Sequence, residues 1–153
     1  LETLDGYGLK PVTVLHGNWD AQSGYAGALQ MLRETPNFSA VLVGNDQMAL
    51  GVLSAFHQHQ VAVPGEKSVI GYDDTYESSF FYPALSTVSL DLDLQGKEAV
   101  RRILASTSGA PHTSSILPAR LVIRHSSGAR IEQGKDLQAI AEQLRAIAHR
   151  LAP

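Results

Sequence analysis

The segment that most constrains the fold is AVLVGNDQMALG, which runs from Ala40 to Gly51. An apolar run ends at the polar triplet Asn45-Asp46-Gln47, and apolar residues then recur with helical spacing. This pattern predicts a buried parallel strand that feeds directly into a helix, whose first N–H groups Asp46 is placed to cap. Because strand carboxyl ends line the ligand crevice in open α/β sheets, Asn45 is predicted to stand where a small molecule binds.

A second strand of the same kind ends in two carboxylates. KSVIGYDDT, from Lys67 to Thr75, is an apolar run closed by Asp73 and Asp74. One such carboxylate can accept two adjacent sugar hydroxyls through strong charge-assisted hydrogen bonds. Paired acids also occur in glycoside hydrolases and divalent-metal sites, and a capped turn with solvated acids is a further alternative. Two polar strand ends favour a binding cleft over a catalytic centre.

Trp19, the single tryptophan, is predicted in a loop just after a short strand over Val12 to His16. A large ring at a strand's carboxyl end can stack on the C–H face of a sugar and donate one hydrogen bond. The alternative is an ordinary core or rim aromatic. Asn45 offers both donors and an acceptor to a polyhydroxylated ligand, and its alternative role is the helix N-cap or a turn.

Strands and helices alternate along the chain, which predicts an α/β fold with right-handed crossovers and a parallel sheet flanked by helices. Gly24 and Gly27 are expected to let the first long helix, capped by Asp20, pack closely on the sheet. An amphipathic stripe of Leu94, Ala99, Val100, Ile103 and Leu104 marks the last helix of this alternation. Strands are predicted at 12–16, 40–44, 67–72, 87–90 and 116–125, and helices at 20–33, 46–59 and 94–106.

Bulk composition excludes several classes of protein. The 153 residues suit one domain, the net charge of −3 gives no electrostatic case for binding a phosphate backbone, and no apolar run is long enough for a membrane span. The absence of cysteine suits a cytoplasmic protein. Neither a nucleophile–base arrangement nor a histidine pair with metal-ligand spacing is found. We therefore expect no enzyme activity, no metal and no cofactor.

The two ends of the sequence differ from the middle. Residues 1–10 resemble the last turn of a helix closed by Gly6 or Gly8, which predicts sequence upstream, with a short native turn as the alternative. Residues 126–135 are polar and are predicted to be a linker. Beyond them an a/d seam predicts association between chains, or else a terminal helix that docks on its own domain. The seam consists of Leu137, Ile140, Leu144, Ile147 and Leu151.

Several motifs together resemble a known family. LVGNDQMALG, SVIGYDDT and PALSTVSLD, in this order and spacing, resemble the inducer-binding core of the LacI/GalR transcriptional regulators. HGNWDAQSGYAGALQML, LQGKEAVRRIL and the terminal heptads extend the resemblance over nearly the whole chain. A lone NDxMALG is less specific, because periplasmic sugar-binding proteins carry similar strings.

The resemblance implies a bilobed, periplasmic-binding-protein-like fold that holds a small effector, a sugar, between its lobes. Residues 1–125 would be mostly the second lobe with pieces of the first, 126–135 a linker, and 136–153 an oligomerisation helix. The chain would cross between the lobes near 88–93. The matching effector contacts would be Trp19, Asn45, Asp73, Leu90 and Leu92.

The resemblance also implies partners. The protein would be a homodimer or a tetramer that contacts no membrane and binds operator DNA only through an N-terminal region that these residues do not include. Effector binding would change DNA binding through a population shift between lobe orientations. Two alternatives are a solute-binding protein of a sugar transporter and an α/β enzyme such as a sugar hydrolase. The dimer interface would include Leu50, Leu53, Ser54, Phe80, Phe81 and Tyr82.

Overall fold

The computed structural model describes residues 2–108 and 114–128 of the chain. Helices and strands alternate through this part, as the sequence predicts, and one short 3-10 helix covers Tyr76–Phe80. The α-helices are α1 (Glu2–Gly6), α2 (Ala21–Glu34), α3 (Asp46–Gln58) and α4 (Leu92–Thr107). The strands are β1 (Ala40–Leu42), β2 (Ser68–Asp73), β3 (Ser86–Leu90) and β4 (Ala119–Val122).

The four strands form one sheet in the order β1-β2-β3-β4. The first three run parallel, as predicted, but β4 pairs antiparallel to β3, with Thr87 opposite Val122 and Leu90 opposite Ala119. The predicted parallel sheet is thus confirmed for three strands, and its last strand makes the sheet mixed. Hydrophobic alternation reports which face of a strand is buried, but it carries no information on strand direction.

Two helices build the core, one packed on the sheet and the other packed on the first. Asp20 caps α2 as predicted, since its Oδ1 accepts a hydrogen bond of 2.7 Å from the Ser23 backbone N–H. α3 packs on β2, and α2 packs on α3. The prediction that Gly24 faces the sheet was wrong, because a Cβ on Gly24 would collide with the backbone of Met48 in α3. The largest apolar side chains buried between these layers are Phe56, Leu85 and Val69.

The predicted first strand is absent from the described part of the chain. Residues 12–16 are not assigned to any strand, and Val12 and Val14 are 61% and 59% exposed. A strand requires a neighbour that satisfies its backbone groups, and no described strand lies beside this segment. Just before it, α1 ends at Gly6, and Gly8, with φ of +68°, provides the left-handed residue expected at a helix end.

The apolar stripe of α4 is not buried. Among its predicted inward residues, Val100, Ile103 and Leu104 are between 57% and 64% exposed, and no residue of the helix is buried. The predicted linker also begins too early. Ser126 is fully buried and its hydroxyl donates to the carbonyl of Val69 at 2.6 Å, so residue 126 belongs to the packed structure.

Within the described ranges, the helices are all too short or too polar to span a bilayer.

Candidate functional site

The carboxyl ends of β1, β2 and β3 lie at one edge of the sheet because these strands run parallel. Asn45 follows β1 after a two-residue connection, Asp73 is the last residue of β2, and Leu90 is the last residue of β3. β2 and β3 stay in register as far as the pair of Asp73 and Ser89. Three residues predicted to contact an effector therefore share the edge where α/β folds bind ligands.

Asn45 is both an N-cap and a candidate ligand contact. Its Oδ1 accepts a hydrogen bond of 2.8 Å from the backbone N–H of Met48, so the N-cap role left open by the sequence is confirmed. Its Nδ2 donates to the backbone carbonyl of Trp19 at 3.0 Å. An amide has two N–H donors and two acceptor lone pairs, so one of each is left for a ligand.

Trp19 is held by its backbone, and its ring is free. Its φ of 67° lies in the left-handed region, and the bond from Asn45 fixes its carbonyl. The indole is 69% exposed, so the prediction of an ordinary core aromatic is excluded. The ring lies beside Gly44, where an added Cβ would be 3.9 Å from Trp19 Cζ3. An exposed ring at this edge is available to stack on a sugar.

The two acids after β2 have different environments. Asp74 Oδ1 forms an ion pair of 2.6 Å with Arg124 Nη2, and both side chains are about one-fifth exposed. Within the described residues, the Asp73 carboxylate accepts no hydrogen bond, although that of Asp74 does. Both residues have positive φ, 109° at Asp73 and 55° at Asp74. Asp74 is thus committed to the fold, and Asp73 is the carboxylate that can accept a ligand.

The pKa values of the two acids shift in opposite directions. Partial desolvation, and then the nearby negative charge of Asp46, raise the pKa of Asp73 above its ordinary value. Desolvation also opposes ionisation of Asp74, but hydrogen bonds from Arg124 and Ser89 outweigh it, so the pKa of Asp74 is lowered. The raised pKa and the lack of a hydrogen-bond partner in the described residues make Asp73 a candidate binding residue.

Asp46 does not cap α3, contrary to the prediction. Its side chain is fully buried, and its oxygens accept hydrogen bonds from Thr87 Oγ1 at 2.6 Å and from the Thr75 backbone N–H at 2.9 Å. Asn45 takes the N-cap position because its extended backbone aims its side chain at the first turn. Sequence reasoning missed Thr75 and Thr87. The one signal for them was an acid directly after a buried strand.

The two leucines of the predicted crossing do not lie together. Leu90 lines a cavity of about 330 Å³ between α4 and the segment before β4, to which Gln95, Arg102 and Leu117 also contribute. Leu92 does not line this cavity and is 66% exposed in the first turn of α4. Only Leu90 therefore continues the edge formed by Asn45 and Asp73.

The residues predicted for a dimer interface divide into two groups. Leu50 is 38% exposed, Phe80 72% and Tyr82 86%, and Ser54 is also exposed. Leu53, at 4% exposure, is a core residue, and Phe81 packs against the core. The prediction was therefore wrong for Leu53, which leaves almost no surface for a partner, whereas Phe81 is only partly buried and its place in the interface stays a prediction.

The predicted oligomerisation seam from Leu137 to Leu151 lies outside the described residues, as does most of the predicted linker. Within residues 2–108 and 114–128, no group of three His, Cys, Asp or Glu side chains is arranged to hold a metal ion.

Comparison with known proteins identifies the family of this chain. The model of the periplasmic binding protein-like domain matches residues 2–127. The lactose operon repressor of Klebsiella pneumoniae is 40% identical over 98% of this chain. The chain belongs to the LacI/GalR family of transcriptional regulators. This LacI-family chain spans only 42% of the length of that repressor.

Solved structures of the family agree with this assignment. A Lac repressor dimer bound to operator and the anti-inducer ONPF superposes with a TM-score of 0.80 at 37% identity, covering 84% of this chain and 45% of that one. A dimeric Lac repressor with an 11-residue C-terminal deletion superposes with a TM-score of 0.79 at 37% identity, covering 85% of this chain and 48% of that one. The fold is therefore periplasmic-binding-protein-like. All three relatives are repressors by name, which gives the transporter and hydrolase alternatives no support.

Proposed function

We propose that this chain is the effector-binding and oligomerisation part of a LacI-type transcriptional regulator, in which a bound sugar alters the affinity for DNA. The observation that carries the proposal is the Asp73 carboxylate, which is free of hydrogen bonds within the described residues. Asp73 ends β2 at the same sheet edge as Asn45, whose amide donates to the backbone carbonyl of Trp19, a residue with an exposed ring.

The chemistry of these three groups suits a sugar. A ring face stacks on C–H groups, a carboxylate accepts two hydroxyl protons, and an amide supplies one further donor and acceptor. Leu90 would add apolar contact at the end of the neighbouring strand. A cleft of this kind needs a second wall, and the exposed apolar face of α4 supports the proposal that another lobe packs there in the whole protein.

The mechanism that we propose is a population shift. An effector that binds one lobe orientation more tightly than the other changes the distribution between them by its difference in affinity. The two orientations would differ in how they place the DNA-binding regions of two associated chains. We propose that the regulator acts in the cytoplasm, where its DNA target is accessible.

The test is a sugar titration of the whole protein, followed by tryptophan fluorescence and calorimetry. ONPF, the anti-inducer bound to the Lac repressor dimer, is the first probe, followed by unmodified mono- and disaccharides. We expect binding that changes the emission of Trp19 and that Asp73→Ala reduces at least about tenfold, as for a lost charge-assisted hydrogen bond.

The matched control is Glu77→Ala, which removes an exposed acid from the first turn of the 3-10 helix and should leave sugar affinity unchanged. Equal losses in both variants, or the absence of binding to every sugar, would contradict the proposal. Turnover of a chromogenic glycoside that depends on Asp73 would instead favour the hydrolase alternative.

A further inference from the structure

Asp46 is a buried acid that the proposed sugar site does not use. It is the first residue of α3, its side chain is fully buried, and no basic side chain in the described part lies within ion-pair distance of it. A buried carboxylate is costly unless hydrogen bonds replace its water. The hydrogen bonds of Asp46 must therefore compensate for the water that its carboxylate loses on burial.

These contacts join α3 to β3 and to the turn after β2. Oδ1 accepts the hydroxyl of Thr87 in β3 at 2.6 Å, and Oδ2 accepts the backbone N–H of Thr75, which follows β2, at 2.9 Å. Gly71 in β2 makes room for the carboxylate, since a Cβ there would collide with Oδ1. One side chain from the start of α3 thus binds both β3, through Thr87, and the turn that follows β2, through Thr75.

The segment that Asp46 ties down is the turn that carries Asp73. Asp73 and Asp74 both have positive φ, which costs energy for residues with a side chain and persists only where the surroundings impose it. The β2–β3 ladder holds the turn on one side, through the pairing of Asp73 with Ser89. The bond from Thr75 to Asp46 holds it on the other.

We propose that Asp46, together with Thr87, is a positioning residue that sets the direction in which Asp73 is presented at the cleft. The role of Asp73 as a sugar acceptor rests on the proposed function above. Asp46 itself is fully buried, so it acts on the ligand only through the turn.

A matched pair of variants at Thr87 separates positioning from packing. Thr87→Val keeps the shape of the side chain and removes the hydroxyl that Asp46 accepts, whereas Thr87→Ser keeps the hydroxyl and removes the methyl group. In calorimetric titrations of the whole protein with ONPF, we expect Thr87→Val to weaken binding about tenfold or more. Thr87→Ser should bind like the unmodified protein. Equal losses in both variants, or unchanged binding in Thr87→Val, would overturn the proposal.

A second measurement needs no sugar. The ¹³C signal of the Asp73 carboxyl reports its titration, in which the other charged groups nearby are Asp46, the Asp74–Arg124 pair and Arg120 of β4. The Asp73 midpoint should fall in Asp46→Asn, which removes a like charge, and in Thr87→Val, which removes the hydroxyl that holds the Asp46 carboxylate in place. It should stay in place in Thr87→Ser.

The sugar titration and the titration of the Asp73 carboxyl test different claims. If ONPF and the other sugars do not bind the unmodified protein, the proposed function fails, and the Asp73 midpoints still decide the role of Asp46. Midpoints that stay unchanged in both Asp46→Asn and Thr87→Val would overturn the positioning role, whatever sugar binds.

Discussion

Asp73 and Asp74 are adjacent and chemically identical, yet the structure gives them separate tasks. Arg124 engages Asp74 through an ion pair, whereas Asp73 accepts no bond in the described residues and lies near the charge of Asp46. An unpaired carboxylate near another acid destabilises a fold, and such costs are common where a residue serves binding. Stability and binding should therefore respond in opposite directions when Asp73 is changed.

We predict that Asp73→Asn stabilises the protein near neutral pH while it abolishes sugar binding. Because folding raises the pKa of Asp73, its stabilising contribution is complete below the unfolded pKa and is lost as pH rises through the folded value. The variant escapes that loss, so its advantage should grow with pH from about 4 upward. The gain should be at most on the order of 0.5 kcal/mol, since Asp73 is largely exposed. Denaturant unfolding at several pH values measures it.

Asp74→Asn is a control in which the stability of the protein should change in the opposite direction from that in Asp73→Asn. The lowered pKa of Asp74 contributes stability above the unfolded value, and this contribution is lost as pH falls through the folded value. The variant should be less stable than the unmodified protein near neutral pH by roughly 1–3 kcal/mol, with a difference that shrinks in acid. If the stability of Asp73→Asn and that of Asp74→Asn changed with pH in the same way, the assignment of Asp73 to binding and of Asp74 to the fold would be contradicted.

At the scale of elements, close contact between α2 and α3 organises the core. A Cβ on Gly51 of α3 would collide with the backbone of Ala21 and Tyr25 in α2, and Gly24 has the same relation to Met48 in α3. Two glycines on facing helices thus allow the backbones to touch. The sequence indicated close packing at Gly24, but periodicity could not tell whether its partner was a sheet or a helix.

We predict that Gly51→Ala destabilises the protein by roughly 1–3 kcal/mol despite the higher helix propensity of alanine, because the helices must separate. Gly27→Ala is the control within α2, since its Cβ would meet only Leu15 Cδ1 at 3.8 Å, an ordinary contact. That variant should gain up to about 1 kcal/mol from propensity alone. Thermal unfolding of both variants measures the changes in stability. A similar gain in stability in Gly51→Ala and Gly27→Ala would contradict the close contact between α2 and α3.

For the whole molecule, exposed aromatic residues mark a face suited to a second copy. Tyr76, Phe80 and Tyr82 are between 72% and 86% exposed, and the rings of Tyr76 and Phe80 lie 5.4 Å apart between centroids. Large exposed aromatic side chains are enriched at protein interfaces. With Leu50 and Ser54 they form the interface that we propose for a dimer.

We predict that Phe80→Asp weakens dimerisation by about 2 kcal/mol or more, roughly thirtyfold in Kd, because a charge would replace an aromatic anchor. Sedimentation equilibrium measures the change. Tyr7→Asp, at a residue that is 80% exposed and belongs to no proposed interface, should dimerise normally. If the two variants dissociate alike, the aromatic face is not the dimer contact.

A second prediction at this scale concerns the C-terminal seam. Leu144→Asp should convert a tetramer into dimers, since an aspartate at an a/d position cannot be buried between helices. Sedimentation velocity measures the mass, with Gln143→Asp, which lies outside the seam, as the control. A tetramer that persists in Leu144→Asp would favour the alternative of a helix docked on its own domain.

The sequence by itself determined the order of α-helices and strands from α2 to β4, the cap at Asp20 and the polar residues at the ends of β1 and β2, because period, apolar runs and capping side chains are local properties. Only the tertiary structure decided the antiparallel direction of β4 and the burial of Leu53 and Ser126. It alone showed that Asn45 and not Asp46 caps α3, and it paired Asp74 rather than Asp73 with Arg124. Each of these features joins residues that are distant in the chain. The free energy of such a contact depends on which groups folding brings together, and local spacing does not encode that.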